Sequence, residues 1–285
     1  MIYQRIFCAL LLLACAGGAN AQDARRGAYL AKVGDCIGCH TEQKPDAIPY
    51  AGGRALTTPF GTFYGTNITP DPKSGIGGWT EADFFRAMQK GTRPDGWPYF
   101  PAFPYPSFTK ITDNDLRDLW AYLRSLPPST GANHPHELRF PFRFRILVFP
   151  WKWLFFTPGR FAGAAGATEV LNRGAYLVQA LGHCGECHTP RNFFGASKKD
   201  RQLAGGKGPD AKNVPNLTPT RLEKLSDGDL KDLLTSGIYP DGDLPAEAMA
   251  EVIRNTTSQL TAQDLDALIA YLRSLPRLPE EPKEK

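Results

Sequence analysis

Two stretches of the chain carry the same amphipathic signature. Leu116, Leu119, Trp120 and Leu123 fall at i, i+3, i+4 and i+7, and Leu265, Leu268, Ile269 and Leu272 repeat the spacing. That period predicts two helices, each with one buried stripe. Thr112 with Asp115, and Thr261 with Asp264, stand where a capping box would open them, with Asp in the usual Glu place. Pro127 and Pro276 stop them. A further helix is predicted over about 24–34, and Gly/Pro-rich loops fill the intervals. With 28 Gly and 25 Pro in 285 residues, a long coiled coil is excluded.

The two helices belong to a longer repeat. Arg26-Gly27-Ala28-Tyr29-Leu30 recurs as Arg173-Gly174-Ala175-Tyr176-Leu177, and Gly52-Gly53 as Gly205-Gly206. Asn67-Ile68-Thr69-Pro70 recurs as Asn216-Leu217-Thr218-Pro219, and Pro94-Asp95-Gly96 as Pro240-Asp241-Gly242. The heptapeptide AYLRSLP at Ala121 returns unchanged at Ala270. A chain of this length suggests two domains, and the repeat makes them two copies of one unit.

The first 21 residues read as an export signal: Arg5, an apolar run Ile6–Ala14 and a small-residue cleavage site Ala19-Asn20-Ala21. Leu12-Leu13-Ala14-Cys15 also fits a lipoprotein box, which would leave Cys15 acylated. Either reading sends the chain out of the cytoplasm, to the periplasm. The net charge of +4 is too small and too evenly spread to imply nucleic acid.

Apart from Cys8 and Cys15 in the signal, four cysteines remain, in Cys36-Ile37-Gly38-Cys39-His40 and Cys184-Gly185-Glu186-Cys187-His188. Cys-x-x-Cys-His is the attachment motif for haem c. Two thiols on one helical turn can form thioethers with the haem vinyl groups, and the next residue's imidazole reaches the iron as proximal ligand. A Cys₄ zinc site would leave the two histidines unexplained, and a redox dithiol would need a βαβ setting. Two covalently bound haem c groups are therefore expected, with His40 and His188 on the irons.

Both halves resemble class I cytochrome c domains. The segments GHCGECHTPRN (Gly182–Asn192) and FPAFPYPSFTKITDNDL (Phe100–Leu116) are similar to those in cytochrome c subunits of bacterial periplasmic alcohol, aldehyde, gluconate and nicotinate dehydrogenases. The resemblance implies an all-α fold of two tandem cytochrome c domains, 22–128 and 172–277. An aromatic-rich linker, 129–171, joins them, and a charged tail, 278–285, follows. It departs from the family in one respect: such subunits usually carry three haems, and this chain has two motifs. The implied role is an electron-transfer protein, not an enzyme in itself, between a periplasmic dehydrogenase and an oxidase or another cytochrome of the respiratory chain. The alternative is a haem enzyme or sensor whose open first haem binds peroxide, a sulfur species or a small gas.

The distal iron ligands are sought by aligning the copies on Pro-Asp-Gly. Met249 lies nine residues after Pro240, and Phe103 nine after Pro94. Met249 is thus the candidate distal ligand of the second haem, thioether sulfur raising the potential, whereas Phe103 cannot ligate iron. For the first haem the candidates are Met88, His134 or His136, or no strong ligand; Met88 aligns with Leu234, an ordinary core position. His183 is expected beside a propionate or at the surface.

Between Leu138 and Thr168 there is no Asp or Glu, while Arg139, Arg143, Arg145, Lys152 and Arg160 stand among eight Phe and Trp residues from Phe140 to Phe156. The segment is either an ordered linker packed on both domains or a docking surface for a dehydrogenase or a membrane.

Overall fold

The structure, a computed structural model, describes residues 22–131, 133–208 and 210–280. The candidate export signal with Cys8 and Cys15, and residues 281–285 of the tail, lie outside the described residues. The first copy opens with helix α1 (Ala24–Val33), then α2 (Cys36–His40), a hairpin of β1 (Ala55–Thr58) and β2 (Gly61–Tyr64), α3 (Glu81–Lys90), α4 (Tyr105–Phe108) and α5 (Asp113–Ser125). Strand β3 (Glu137–Leu138) and α6 (Val148–Phe155) follow. The second copy has α7 (Glu169–Tyr176), α8 (Gly185–His188), the pair β4 (Gly206–Lys207) and β5 (Asn213–Val214), then α9 (Pro219–Leu222), α10 (Asp227–Ser236), α11 (Glu247–Asn255) and α12 (Ala262–Ser274).

The fold is helical but not purely so. Antiparallel β1 and β2 pair from Ala55↔Tyr64 to Thr58↔Gly61, and β3 adds to β2 through Gly61↔Leu138. A shorter antiparallel pair, Gly206↔Val214 and Lys207↔Asn213, occupies the equivalent place in the second copy. The all-α expectation overlooked these strands because each is only two to four residues long, too short for alternation to register.

The predicted closing helices are α5 and α12, and each crosses its copy's opening helix at a glycine. A Cβ on Gly27 would overlap the Asp118 carbonyl, and one on Gly174 the Ala267 carbonyl; glycine lets two helix backbones touch there. The capping boxes are only half formed. Thr112 and Thr261 accept from the amides of Asp115 and Asp264, but those carboxylates turn elsewhere. Asp115 pairs with Arg26 and takes a hydrogen bond from Tyr176 Oη of the other copy. Asp264 pairs with Arg173 and takes one from Tyr29 Oη, 2.5 Å away. Each copy's tyrosine thus satisfies the other copy's buried aspartate. The apolar core is continuous as well, with Leu30, Leu116 and Leu119 clustered with Tyr176, Leu177 and Leu181.

One difference between the copies has a simple origin. Ten positions separate Arg26 from Cys36, eleven separate Arg173 from Cys184. Helix α7 continues as a π-helical turn, Leu177–Leu181, where the Gly182 amide donates to the Leu177 carbonyl five residues back. In the first copy the Gly34 amide donates to Leu30, four back. The π turn absorbs the extra residue and delivers Cys184 in the same setting as Cys36.

Candidate functional site

Each Cys-x-x-Cys-His motif occupies a single short helix or helix entrance after a left-handed residue, Asp35 (φ 46°) in one copy and His183 (φ 38°) in the other. None of the four cysteines is paired in a disulfide. Desolvation pushes Cys36, Cys39 and Cys184 up to about 12, the opposite of the depressed thiol expected in a redox-active dithiol. Among the described residues no group of three or more His, Cys, Asp or Glu side chains could hold a metal ion, so nothing there supports a Cys₄ zinc site.

The imidazoles are held identically. His40 Nδ1 lies 2.6 Å from the Thr66 carbonyl and His188 Nδ1 lies 2.8 Å from the Pro215 carbonyl. A carbonyl only accepts, so Nδ1 carries the proton and Nε2 keeps its lone pair. Burial lowers both pKa values below the ordinary histidine value, which keeps the rings neutral. A neutral imidazole with Nδ1 bonded to a backbone carbonyl is the oriented form that iron takes on Nε2. Two thiols on one turn, followed by such an imidazole, fit haem c in both copies.

The repeated segments that the sequence left without a role build this arrangement. The Gly52 amide donates to the His40 carbonyl and the Gly205 amide to the His188 carbonyl, each at 2.8 Å. Both glycines have positive φ (83° and 76°), and a Cβ on either would strike the amide of Asn67 or Asn216. Those asparagines immediately follow the carbonyls that hold the histidines. Asn67 Oδ1 accepts from the amide and hydroxyl of Thr69, and Asn216 Oδ1 from those of Thr218. Their Nδ2 groups donate to the carbonyls of Ser129 (2.7 Å) and Leu278 (2.9 Å). Ser129 and Leu278 each lie two residues beyond the AYLRSLP proline. The closing helix therefore clips the Asn-x-Thr-Pro loop, and the loop aims the carbonyl at the histidine. Sequence reading found these residues as repeats; the bare recurrence of Asn with Thr two residues later was the only signal of their task.

The distal candidates lie in different surroundings. Met249 is in the first turn of α11, partly exposed. Phe103 packs with Tyr99, Tyr105 and Phe108 at centroid distances of 5.3, 6.3 and 5.8 Å. Met88 is buried on α3 in the apolar cluster with Phe84 and Trp120. His134 is exposed, against Tyr64. His136 accepts the Tyr64 amide at Nδ1, 3.1 Å, and its pKa is lowered by burial and by Arg145 and Arg93; its neutral form then carries the proton on Nε2, with no lone pair for a metal. His183 is partly exposed, and its ring lies 5.3 Å from that of Phe108 of the first copy, tilted by 60°.

The cytochrome c family matches residues 24–127. A dihaem cytochrome c-type protein of Cereibacter sphaeroides is 46% identical over 262 residues, which cover 90% of this chain and 87% of that one. The cytochrome c subunit of a quinone alcohol dehydrogenase from Gluconobacter oxydans is 38% identical over 282 residues, 93% of this chain. A nicotinate dehydrogenase subunit from Pseudomonas putida is 39% identical over 266 residues, also 93% of this chain. The chain spans 58% of the length of the alcohol dehydrogenase subunit and 22% of the nicotinate dehydrogenase subunit.

Two predictions arise from this geometry. Asn67→Ala strands the buried Thr69 donors and frees the loop that aims Thr66, so it should destabilise the protein by about 1–3 kcal/mol, read as a lower denaturant midpoint. An unchanged midpoint would show that the loop is held by other means. Asp35 provides the second. Burial, reinforced by Glu251 and opposed by a hydrogen bond from Asn255, pushes its carboxyl up to about 7, against about 3.9 in an unfolded chain. The native state then binds an extra proton between those values, so stability should fall as pH rises from about 4 to about 7. Asp35→Asn should flatten that decline in denaturation measured across the range; an equal slope in both proteins would refute it.

Proposed function

The chain belongs to the cytochrome c family, and on that premise we propose that it is an exported dihaem electron carrier. It takes electrons from a periplasmic dehydrogenase and hands them to an oxidase or another cytochrome. The observation that carries the reading is the twofold occurrence of one arrangement: a Cys pair on a single turn and an imidazole whose Nδ1 is fixed by a loop carbonyl. Relatives named as subunits of alcohol and nicotinate dehydrogenases support a dehydrogenase as donor.

In this reading Cys36, Cys39, Cys184 and Cys187 hold two haem c groups covalently, with His40 and His188 as proximal ligands. Bound haem c supplies reversible one-electron iron chemistry. The chain's own work is to fix the imidazoles, exclude water and set the sixth position. Met249 supplies a thioether to the second site. Phe103, packed among aromatic rings, leaves the first site without one at the aligned place, while Met88 sits within an apolar cluster. The two domains, 22–128 and 172–277, share a scaffold, so their inequality comes from the sixth position, the first site having the lower potential or the greater access to ligands. A donor docking on residues 22–128 then gives a downhill path to the second site.

A ferrous–CO difference spectrum of the holoprotein tests the ligand assignment. CO should bind at the first site alone in the unmutated protein, at both after Met249→Ala, and be lost from the first after Phe103→Met. The Met-to-ferric-iron absorption band should vanish in Met249→Ala. Its survival there and loss in Met88→Ala would transfer the assignment to Met88. Rapid turnover of peroxide or a sulfur species at the first site would favour the enzyme alternative.

The aromatic segment has a place in the same reading, at the surface of an anionic membrane. Phe149, Trp153 and Leu154 are exposed on α6 or at its edge, Trp153 by 83%. Phe193 and Phe194, also exposed, join them: Trp151 donates to the Phe194 carbonyl, and Phe155 lies 5.9 Å from the Phe194 ring. No carboxylate occurs in 138–168 or 187–199, so the surroundings of the patch are basic, a match for anionic headgroups. Among the described residues no helix is long and apolar enough to cross a membrane. Holoprotein with Cys15→Ser, which removes any acyl anchor, should sediment with phosphatidylglycerol vesicles and not with phosphatidylcholine, and Trp153→Ser with Phe193→Ser should abolish this. No sedimentation with either vesicle would contradict the membrane reading and leave the patch to a protein partner.

A further inference from the structure

Helix α11, which carries Met249, packs on α10 of its own copy but has few side-chain anchors there. Its N-cap residue Ala246 makes no side-chain cap, and Ile253 is its one fully buried residue. The segment before it, from Asp241 to Leu244, is exposed. Its side-chain hydrogen bonds run to the first copy. Arg54 donates from Nη1 to Glu251 Oε1 at 3.0 Å and from Nη2 to Oε2 at 2.7 Å, a bidentate pair. Both side chains are only 15% exposed, so the pair is far less screened than a surface one. Gln43 donates to the same carboxylate at 3.2 Å, Asn255 stands beside the Asp35 carboxyl, and the Thr256 hydroxyl donates to the Lys32 carbonyl at 3.0 Å. Glu251 and Asn255 are four residues apart and face the same way. Met249 and Ile253 are likewise four apart, and at 100° per residue Met249 lies about 200° round the helix from Glu251. Pinning Glu251 to the first copy therefore turns Met249 toward the side on which Ile253 is buried in its own copy.

We propose that Arg54 and Glu251 are positioning residues for the sixth position of the second site: the first domain holds the helix that presents Met249. The proposal rests on Met249 being that ligand. No mirror-image clamp is built into the sequence, since Glu251 aligns with Tyr105 when the copies are matched on Pro-Asp-Gly. Control of the distal ligand by this pair thus runs from the first copy to the second.

The test uses ferric and ferrous holoprotein, with covalent haem content and far-ultraviolet circular dichroism as measures of intact folding. Arg54→Gln and Glu251→Gln should each weaken or abolish the Met-to-ferric-iron band and admit CO to the second site, with covalent haem unchanged. Arg54→Lys, which keeps the charge but not the fork, should fall between. The exchanged pair, Arg54→Glu with Glu251→Arg, should restore the band if the single variants lose it through the missing contact. It also serves where a single variant folds poorly. Single variants that keep the full band and exclude CO, while Met249→Ala loses the band, would overturn the clamp alone. A band that survives Met249→Ala would overturn the ligand assignment and the clamp with it.

Discussion

Everything in this molecule hangs on two helix crossings at which backbone meets backbone. Gly27 lies against the Asp118 carbonyl and Gly174 against the Ala267 carbonyl, so opening and closing helices approach more closely than any side chain would permit. The crossing brings Arg26 over Asp115 and Asp118, and Arg173 over Asp264. It also fixes where each closing helix ends, and hence where Ser129 and Leu278 meet the asparagine loops. From there a short chain of hydrogen bonds leads to the carbonyls that orient His40 and His188. Packing at one end of each copy is thereby converted into the tautomer of an imidazole at the other.

The second constraint is reciprocity between the copies. Tyr29 and Tyr176 each reach across to the aspartate that the other copy's arginine already holds. These carboxylates are largely buried and satisfied from both sides, which makes the contact costly to break. The same exchange recurs near the site, where the His183 ring lies against Phe108 and Asn255 stands beside the Asp35 carboxyl. The residue before each motif therefore looks into the opposite copy. Two such units are better regarded as one interlocked body than as beads on a linker, and the core cluster that spans both says the same.

Much of this was legible in the residues alone. Thr112, Thr261, Pro127 and Pro276 mark the closing helices where they stand, because caps and prolines act locally. The Cys-x-x-Cys-His motifs declared their chemistry because the spacing has few other uses. What stayed hidden depends on partners far away in the chain. Asp115 and Asp264 sit at capping-box positions, yet they serve Arg26, Arg173 and the crossed tyrosines, and no local pattern announces that. The strands were too short for alternation to show. The asparagine loops were visible as repeats, but their task appears only when the Ser129 and Leu278 carbonyls arrive. The extra residue before Cys184 could be counted in the sequence; its resolution as a π turn required the backbone.

The central claim is that one scaffold, used twice and interlocked, carries two haem sites made unequal by Met249 and Phe103. A spectroscopic redox titration of the purified holoprotein, with haem quantified per chain, tests it most directly. Two covalent haems titrating as separate one-electron steps, the upper one belonging to the site that loses its potential in Met249→Ala, is the predicted result. A single haem per chain, or two haems that titrate together at one high potential, would contradict it.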